Sequence, residues 1–263
     1  MNKTLVSGLV LALLSVSLQV QAITADEIAQ LVDARDTGDN SKFNMKMTLI
    51  DKRGHQRQRT MLNFSKKRGK DDLKLLFFKT PADVRNTGFL TFDYDDERDD
   101  DQWLYLPALK KTKRIASSDK SGSFMGSDFS YSDMTSRNIE DYNYKLVKEQ
   151  KVGGHKVWVI ESVPKTKKTV DETGYKKSWM FVRQDNFVVI RALHLTNEGD
   201  KKKYMDVKKL EKIDGIWVAT EIEMKTMKGK VRLHTTVLSL SNIKFNQDLK
   251  ESYFSIRTLE KGL

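Results

Sequence analysis

The residues best suited to chemistry in this chain are an acidic run, four histidines and one serine beside a glycine. The acidic run, Asp93-Tyr94-Asp95-Asp96-Glu97-Arg98-Asp99-Asp100-Asp101, is the only dense group of carboxylates. Hard cations such as calcium want clustered carboxylate oxygens, but an EF-hand loop also needs Gly at its sixth position and Glu at its twelfth. Neither stands there with the right flanks, so a solvated hairpin tip is the expectation. His55, His155, His194 and His234 lie far apart and show no HExxH spacing. The first two fall in turns and the others on strands, and all four read as scattered surface residues. Gly126-Ser127-Asp128 lacks the second glycine of a nucleophile elbow. The chain has no cysteine to act as a nucleophile. Gly153-Gly154 is a hairpin turn, not a phosphate loop. These patterns point away from an enzyme, a metal centre and a bound cofactor.

The elements that would position such residues are mostly strands. Thr24 to Asp36 is the one clear helix: Thr24 and Glu27 have capping-box spacing, Ile28, Leu31 and Val32 share a face, and Gly38 is the expected stop. Phe43, Met45, Met47 and Leu49 then alternate with polar residues, as in a half-buried strand. Thr60, Leu62 and Phe64 alternate on the returning strand. Leu73 to Phe78 is apolar at both parities, which predicts a strand covered on both faces. From Tyr142 to Phe245 alternating runs are separated by Gly153-Gly154, Asp185-Asn186, Asn197-Glu198-Gly199, Asp214-Gly215 and Lys228-Gly229. The polar Lys165 to Tyr175 stretch reads as a loop. Asp248 to Leu259 reads as a short helical turn and tail anchored by Phe254 and Leu259. Roughly twelve strands in one long antiparallel meander are expected. A sheet of that size must curl, giving a strongly curved sheet or barrel with an apolar interior.

Lys3, the apolar run Leu5 to Val16 and the small residues at Val20 and Ala22 form a secretory signal peptide expected to be cleaved after Ala22. The alternative is an uncleaved anchor, although the run is short for a bilayer. Residues 23–263 are then one exported domain, and without cysteine it must be held by its core alone. Lys plus Arg number 47 against 36 Asp plus Glu, a formal net charge of +11. Export argues against nucleic acid as the partner. The lysines alternate along strands, as expected of solvated faces and blunted edges; transient contact with an anionic membrane surface is the sharper alternative.

One stretch does not fit the scaffold. Ser117 to Arg137 is long for a connection, and loops of that length are usually functional or disordered. It carries Phe124, Met125, Phe129, Tyr131 and Met134, which disorder normally avoids. Either it is a lid with apolar side chains facing a cavity, or an ordinary surface loop pinned by aromatics.

Several segments together resemble the LolA-like periplasmic carriers, and most specifically the branch called outer membrane lipoprotein-sorting proteins. They are Phe78-Lys79-Thr80-Pro81 with Gly88-Phe89-Leu90, Trp103-Leu104-Tyr105-Leu106-Pro107 with Arg114-Ile115, and Phe124-Met125-Gly126-Ser127-Asp128-Phe129-Ser130-Tyr131. The resemblance covers nearly the whole of residues 23–263. It implies a mainly β fold, a half-open antiparallel barrel whose mouth is closed by an N-terminal helix and a lid loop over an apolar cavity. It also implies shielding of lipid or lipoprotein acyl chains without chemistry, in the periplasm. Its partners would be an inner-membrane RND-type exporter or an outer-membrane acceptor. The cavity and lid residues expected on that basis are Met45, Met47, Leu62, Phe64, Phe89, Trp103 and Tyr105 on strands, and Phe124, Met125, Phe129 and Tyr131 in the loop. An envelope sensor or adaptor of the same fold is the alternative. An outer-membrane barrel is disfavoured by the heavily charged Lys201 to Lys212 strand.

Overall fold

The computed structural model describes residues 22–96 and 98–262. The signal-peptide expectation falls on residues that lie outside the described ones. Thirteen strands form one antiparallel sheet. They are β1 (Asn40–Asp51), β2 (Gln56–Arg68), β3 (Asp71–Thr80), β4 (Gly88–Asp93), β5 (Asp101–Leu106), β6 (Lys111–Arg114), β7 (Tyr142–Val152), β8 (His155–Pro164), β9 (Tyr175–Arg183), β10 (Val189–Thr196), β11 (Lys201–Ile213), β12 (Ile216–Lys228) and β13 (Val231–Phe245). Among the described residues three α-helices accompany them: α1 (Ala25–Asp33), α2 (Lys167–Thr173) and α3 (Ile256–Lys261). Among the described residues no helix is long and apolar enough to cross a membrane.

The strand order is β6-β5-β4-β3-β2-β1-β13-β12-β11-β10-β9-β8-β7. This is not the single meander the sequence suggested. Two meanders run in opposite directions from the middle, where the first strand pairs with the last (Met45 opposite Leu240, Met47 opposite Leu238). The free edges are β6 and β7, so the sheet is curved but unclosed. They are consecutive in sequence, and the segment 115–141 must carry the chain from one edge to the other. Laid flat, thirteen strands would separate those edges by roughly 58 Å. The segment spends much of its length in short 3₁₀ turns, so curvature is what brings the edges within its reach.

Tight turns set the register. Asp214 and Gly215 both have positive φ (49° and 87°) between β11 and β12, the backbone that an Asp-Gly hairpin favours. Helix α1 starts with the expected capping box between Thr24 and Glu27, but it ends at Asp33 with Ala34 as its cap, earlier than Gly38 suggested. Its Ala25 and Ile28 pack on Ile160 and Val182. The stretch read as a polar loop before β9 contains α2, capped by the Thr166 hydroxyl accepting from Thr169 N–H and closed by Gly174 at φ 75°.

Register assigns the faces. On the inner face, Met45, Met47, Leu49, Met61, Leu76, Phe78, Phe89 and Leu104 form one core with Met224 and Leu238. On the outer face, Phe64, Leu73, Leu75, Phe77 and Leu90 are covered by the C-terminal segment through Phe254 and Leu259. β3 is therefore covered on both sides, as its continuous apolar run predicts.

Candidate functional site

The inner face is roofed by the crossing segment. Phe124 (0 % exposed) and Phe129 (7 %) are driven into the inner core, and Met125, Tyr131 and Met134 pack half-buried against it. The Phe124 ring lies 5.1 Å from Phe89 and 5.6 Å from Tyr131, the latter edge-on, and Phe89 lies 5.7 Å from Tyr131. These are favourable aromatic geometries. At the tip, Met125 takes a left-handed backbone (φ 51°) followed by Gly126 at φ 74°. Its carbonyl accepts from the Arg59 guanidinium.

Polar clasps hold the segment down along its length. Asp128, with its side chain 1 % exposed, reaches the middle of the sheet. Its carboxylate accepts from Thr226 Oγ1 (2.5 Å), Thr236 Oγ1 (2.7 Å) and His234 Nδ1 (2.7 Å), and its own N–H donates to Thr236 Oγ1 (2.9 Å). Gln102 Nε2 donates to the Tyr131 carbonyl (2.9 Å). Tyr175 donates its hydroxyl to Asp133 (2.9 Å), and burial followed by that carboxylate pushes the phenol well above its ordinary pKa. Asp93 accepts from Lys74 (2.6 Å) and from the N–H and hydroxyl of Ser136 (2.8 and 2.9 Å). A buried carboxylate that accepts several bonds is held firmly while its partners remain, and each partner is costly to orphan.

The structure brings Met45, Met47, Phe89, Phe124, Met125, Phe129 and Tyr131 together at this inner face. It places Leu62, Phe64, Trp103 and Tyr105 on the outer face beneath the C-terminal segment. The reason is alternation. β2 and β5 carry apolar residues at both parities, and Met61 and Leu104 take the inner positions. Parity alone does not choose between such sets.

The clasps were not anticipated. His194 and His234 are not the surface residues expected from their scatter: His194 is 8 % exposed and His234 is bonded to Asp128. The one available signal was Asp128 and its serines amid the aromatics of residues 124–131. The acidic run does form the β4–β5 tip, yet its acids are largely paired. Asp99 accepts from Lys168 (2.6 Å), Asp101 from Arg114, and Asp96 from Arg98 (2.6 Å). Half-buried Asp100 is pushed up to about 6 by desolvation, then by the charge of Asp93. Among the described residues no three His, Cys, Asp or Glu side chains converge as a metal site.

A family model described only as an uncharacterized protein matches residues 70–261. No curated protein matches the sequence. A DUF1329 family protein from Desulfovibrio piger superposes with a TM-score of 0.80 at 32 % identity, over 89 % of this chain and 97 % of its own. A domain described as an outer membrane lipoprotein-sorting protein, from Vibrio parahaemolyticus, gives 0.81 at 33 % identity, over 90 % and 98 %. A LolA superfamily protein from Nitrosomonas europaea gives 0.67 at 20 % identity, over 89 % and 98 %, a likeness of fold. The roofed, unclosed sheet is therefore a LolA-like half-barrel, and the chain belongs to the DUF1329 family.

Proposed function

We propose that this protein is a periplasmic carrier that shields the acyl chains of a lipid or lipoprotein in transit between the inner and outer membranes. One observation carries the reading: an apolar inner sheet face is covered by a crossing segment of the protein's own chain, held by polar clasps, and not by another strand or helix layer. The Vibrio relative, named for lipoprotein sorting, supports it at 33 % identity over nearly its full length.

The chemistry of uptake and release follows from that cover. Each methylene removed from water contributes about 0.8 kcal/mol, so an acyl chain enters an apolar site with a large driving force. A site that was empty beforehand would bind too well to let go. Here the inner face is already covered by Phe124, Met125, Phe129, Tyr131 and Met134. Cargo exchanges one apolar cover for another, which keeps the net free energy small. The polar clasps belong to the closed arrangement alone, whereas the segment's apolar face serves in both, first against the sheet and then against the cargo. An RND-type exporter would supply the cargo at the inner membrane, and an outer-membrane acceptor would take it.

Protein purified without detergent and extracted with organic solvent should yield acyl lipid at close to one cargo per chain by mass spectrometry. Replacing Met125 and Phe129 with Ser should shorten retention of that cargo at least severalfold. Extracts free of lipid, from a protein that also fails to take up acyl chains added in solution, would sink the carrier reading.

A further inference from the structure

An apolar hollow lies on the outer face, away from the roofed site. The C-terminal segment leaves β13 and is tied to the sheet at both ends. Asn246 N–H and Gln247 N–H donate to Asn40 (3.1 and 2.6 Å). At the far end Glu260 accepts from Thr112 (2.6 Å), and Leu259 is fully buried. Between these ties the segment crosses the outer face as a strap, packed on it through Phe254, and borders an open trough of about 670 Å³. That size is typical of small-molecule sites. A second hollow of about 410 Å³ continues it along β1 and β13, sharing Lys42 and Leu62.

The chemistry of the lining is two-sided. The floor is Leu62 and Phe64, and the strap contributes Leu249 and Tyr253, whose ring meets Phe64 edge-on at 5.1 Å. The rim is cationic: Lys42, Lys79 and Lys250 open onto the trough, and Lys244 onto its continuation. All four are exposed. None makes an ion pair among the described residues, and the one carboxylate in the lining is Asp248. Elsewhere on this chain lysines commonly find carboxylates, as Lys74, Lys168 and Lys208 do. Lys42 Nζ stands 5.4 Å over the Phe64 ring, so cation and apolar floor are contiguous.

We infer that this trough binds a single-chain amphiphile with an anionic head, the chain lying against Leu62 and Phe64 alongside the strap and the head held by Lys42, Lys79 and Lys250. A fatty-acid carboxylate and a lysophospholipid phosphate share that chemistry. The trough is separate from the roofed inner face: its lining shares no residue with the inner core.

The test uses a diazirine-bearing fatty acid as a photoprobe on the full-length protein, with mapping of the adducts. Adducts should appear on peptides spanning residues 246–258 and 42–64. Oleate and lyso-phosphatidylglycerol should both compete, and the more effective one names the physiological source; oleyl alcohol should compete at least tenfold less well. Lys42→Glu combined with Lys250→Glu should cut these adducts roughly tenfold and leave adducts on residues 119–134 unchanged. Both lysines are exposed, and an unaltered circular dichroism spectrum will show that the variant folds. Adducts confined to residues 119–134 would overturn the inference. So would trough adducts that are indifferent to the charge reversal, or binding only to phosphatidylglycerol vesicles and not to the free amphiphiles.

Discussion

At the scale of single residues, Asp128 is the strongest clasp of the crossing segment. Its carboxylate accepts from three side chains on β12 and β13 while almost wholly shielded from water. Asp128→Asn keeps the shape but turns part of the acceptor set into donors, facing two hydroxyls and an imidazole. It should cost about 3 kcal/mol of closed-state stability. If cargo displaces the segment as proposed, the clasp is lost on binding, and the same substitution should tighten equilibrium uptake of an acyl probe, measured by fluorescence titration. Weaker uptake would show that Asp128 belongs to the cargo-bound form. His194 gives a pH test. Burial holds its pKa down to about 3, with Nδ1 2.7 Å from Ser178 Oγ and the ring stacked on Tyr175 at 4.4 Å. The native state thus keeps the imidazole neutral, while the unfolded chain takes up a proton below about pH 6.5. The stability is present in full above pH 6.5 and is lost as pH falls, by about 2 kcal/mol at pH 5. Asp100, raised to about 6, changes in the opposite sense, since its protonation on acidification relieves a partly desolvated charge. The difference between wild type and His194→Gln, in which Asp100 cancels, should therefore shrink on going from pH 7.5 to pH 5 in urea titrations. Neither histidine was legible in the sequence. A histidine at a strand position has no spacing signature for the partner that another segment brings to it.

At the scale of elements, strands with one apolar parity were legible and strands with two were not. Met45 and Met47 alternate with polar residues on β1 and face inward with the crossing segment. Leu62 and Phe64 compete with Met61, and Trp103 and Tyr105 with Leu104; tertiary packing gave the inner face to the second member in each case. Helix α2 was hidden because its seven residues carry one buried side chain, Thr169, and no apolar stripe. The C-terminal tail was legible through Phe254 and Leu259, and its docking depends on Gly88. A Cβ there would stand 2.6 Å from Leu259 Cδ1 and 3.0 Å from the Phe77 ring. Gly88→Ala should therefore push α3 off the outer face and cost about 1–3 kcal/mol. Proteolysis of residues 246–262 should accelerate while residues 117–137 remain protected. Equal loosening of both segments would mean that the two faces of β3 and β4 are more tightly coupled than their separate cores imply.

At the scale of the molecule, the pairing of β1 with β13 makes the crossing segment necessary. Once the first and last strands meet in the middle, the two free edges are consecutive in sequence and the link between them has to pass over a face. Local signals give each hairpin but not this pairing, whose partners are separated by nearly the whole sequence. The unusual length and aromatic content of residues 117–137 were its visible trace. The central claim is that acyl cargo replaces this segment on the inner face. Hydrogen exchange of the full-length protein, with and without a saturating acyl lipid, tests it most directly. In the free protein the amides of residues 122–134 should be protected, since Phe124 N–H donates to Phe129 O (2.8 Å), Tyr131 N–H to Gly122 O (3.1 Å) and Asp128 N–H to Thr236. Cargo should speed their exchange at least tenfold while the amides of β1 and β13 stay slow. Saturating lipid that leaves residues 122–134 as protected as before would contradict the account.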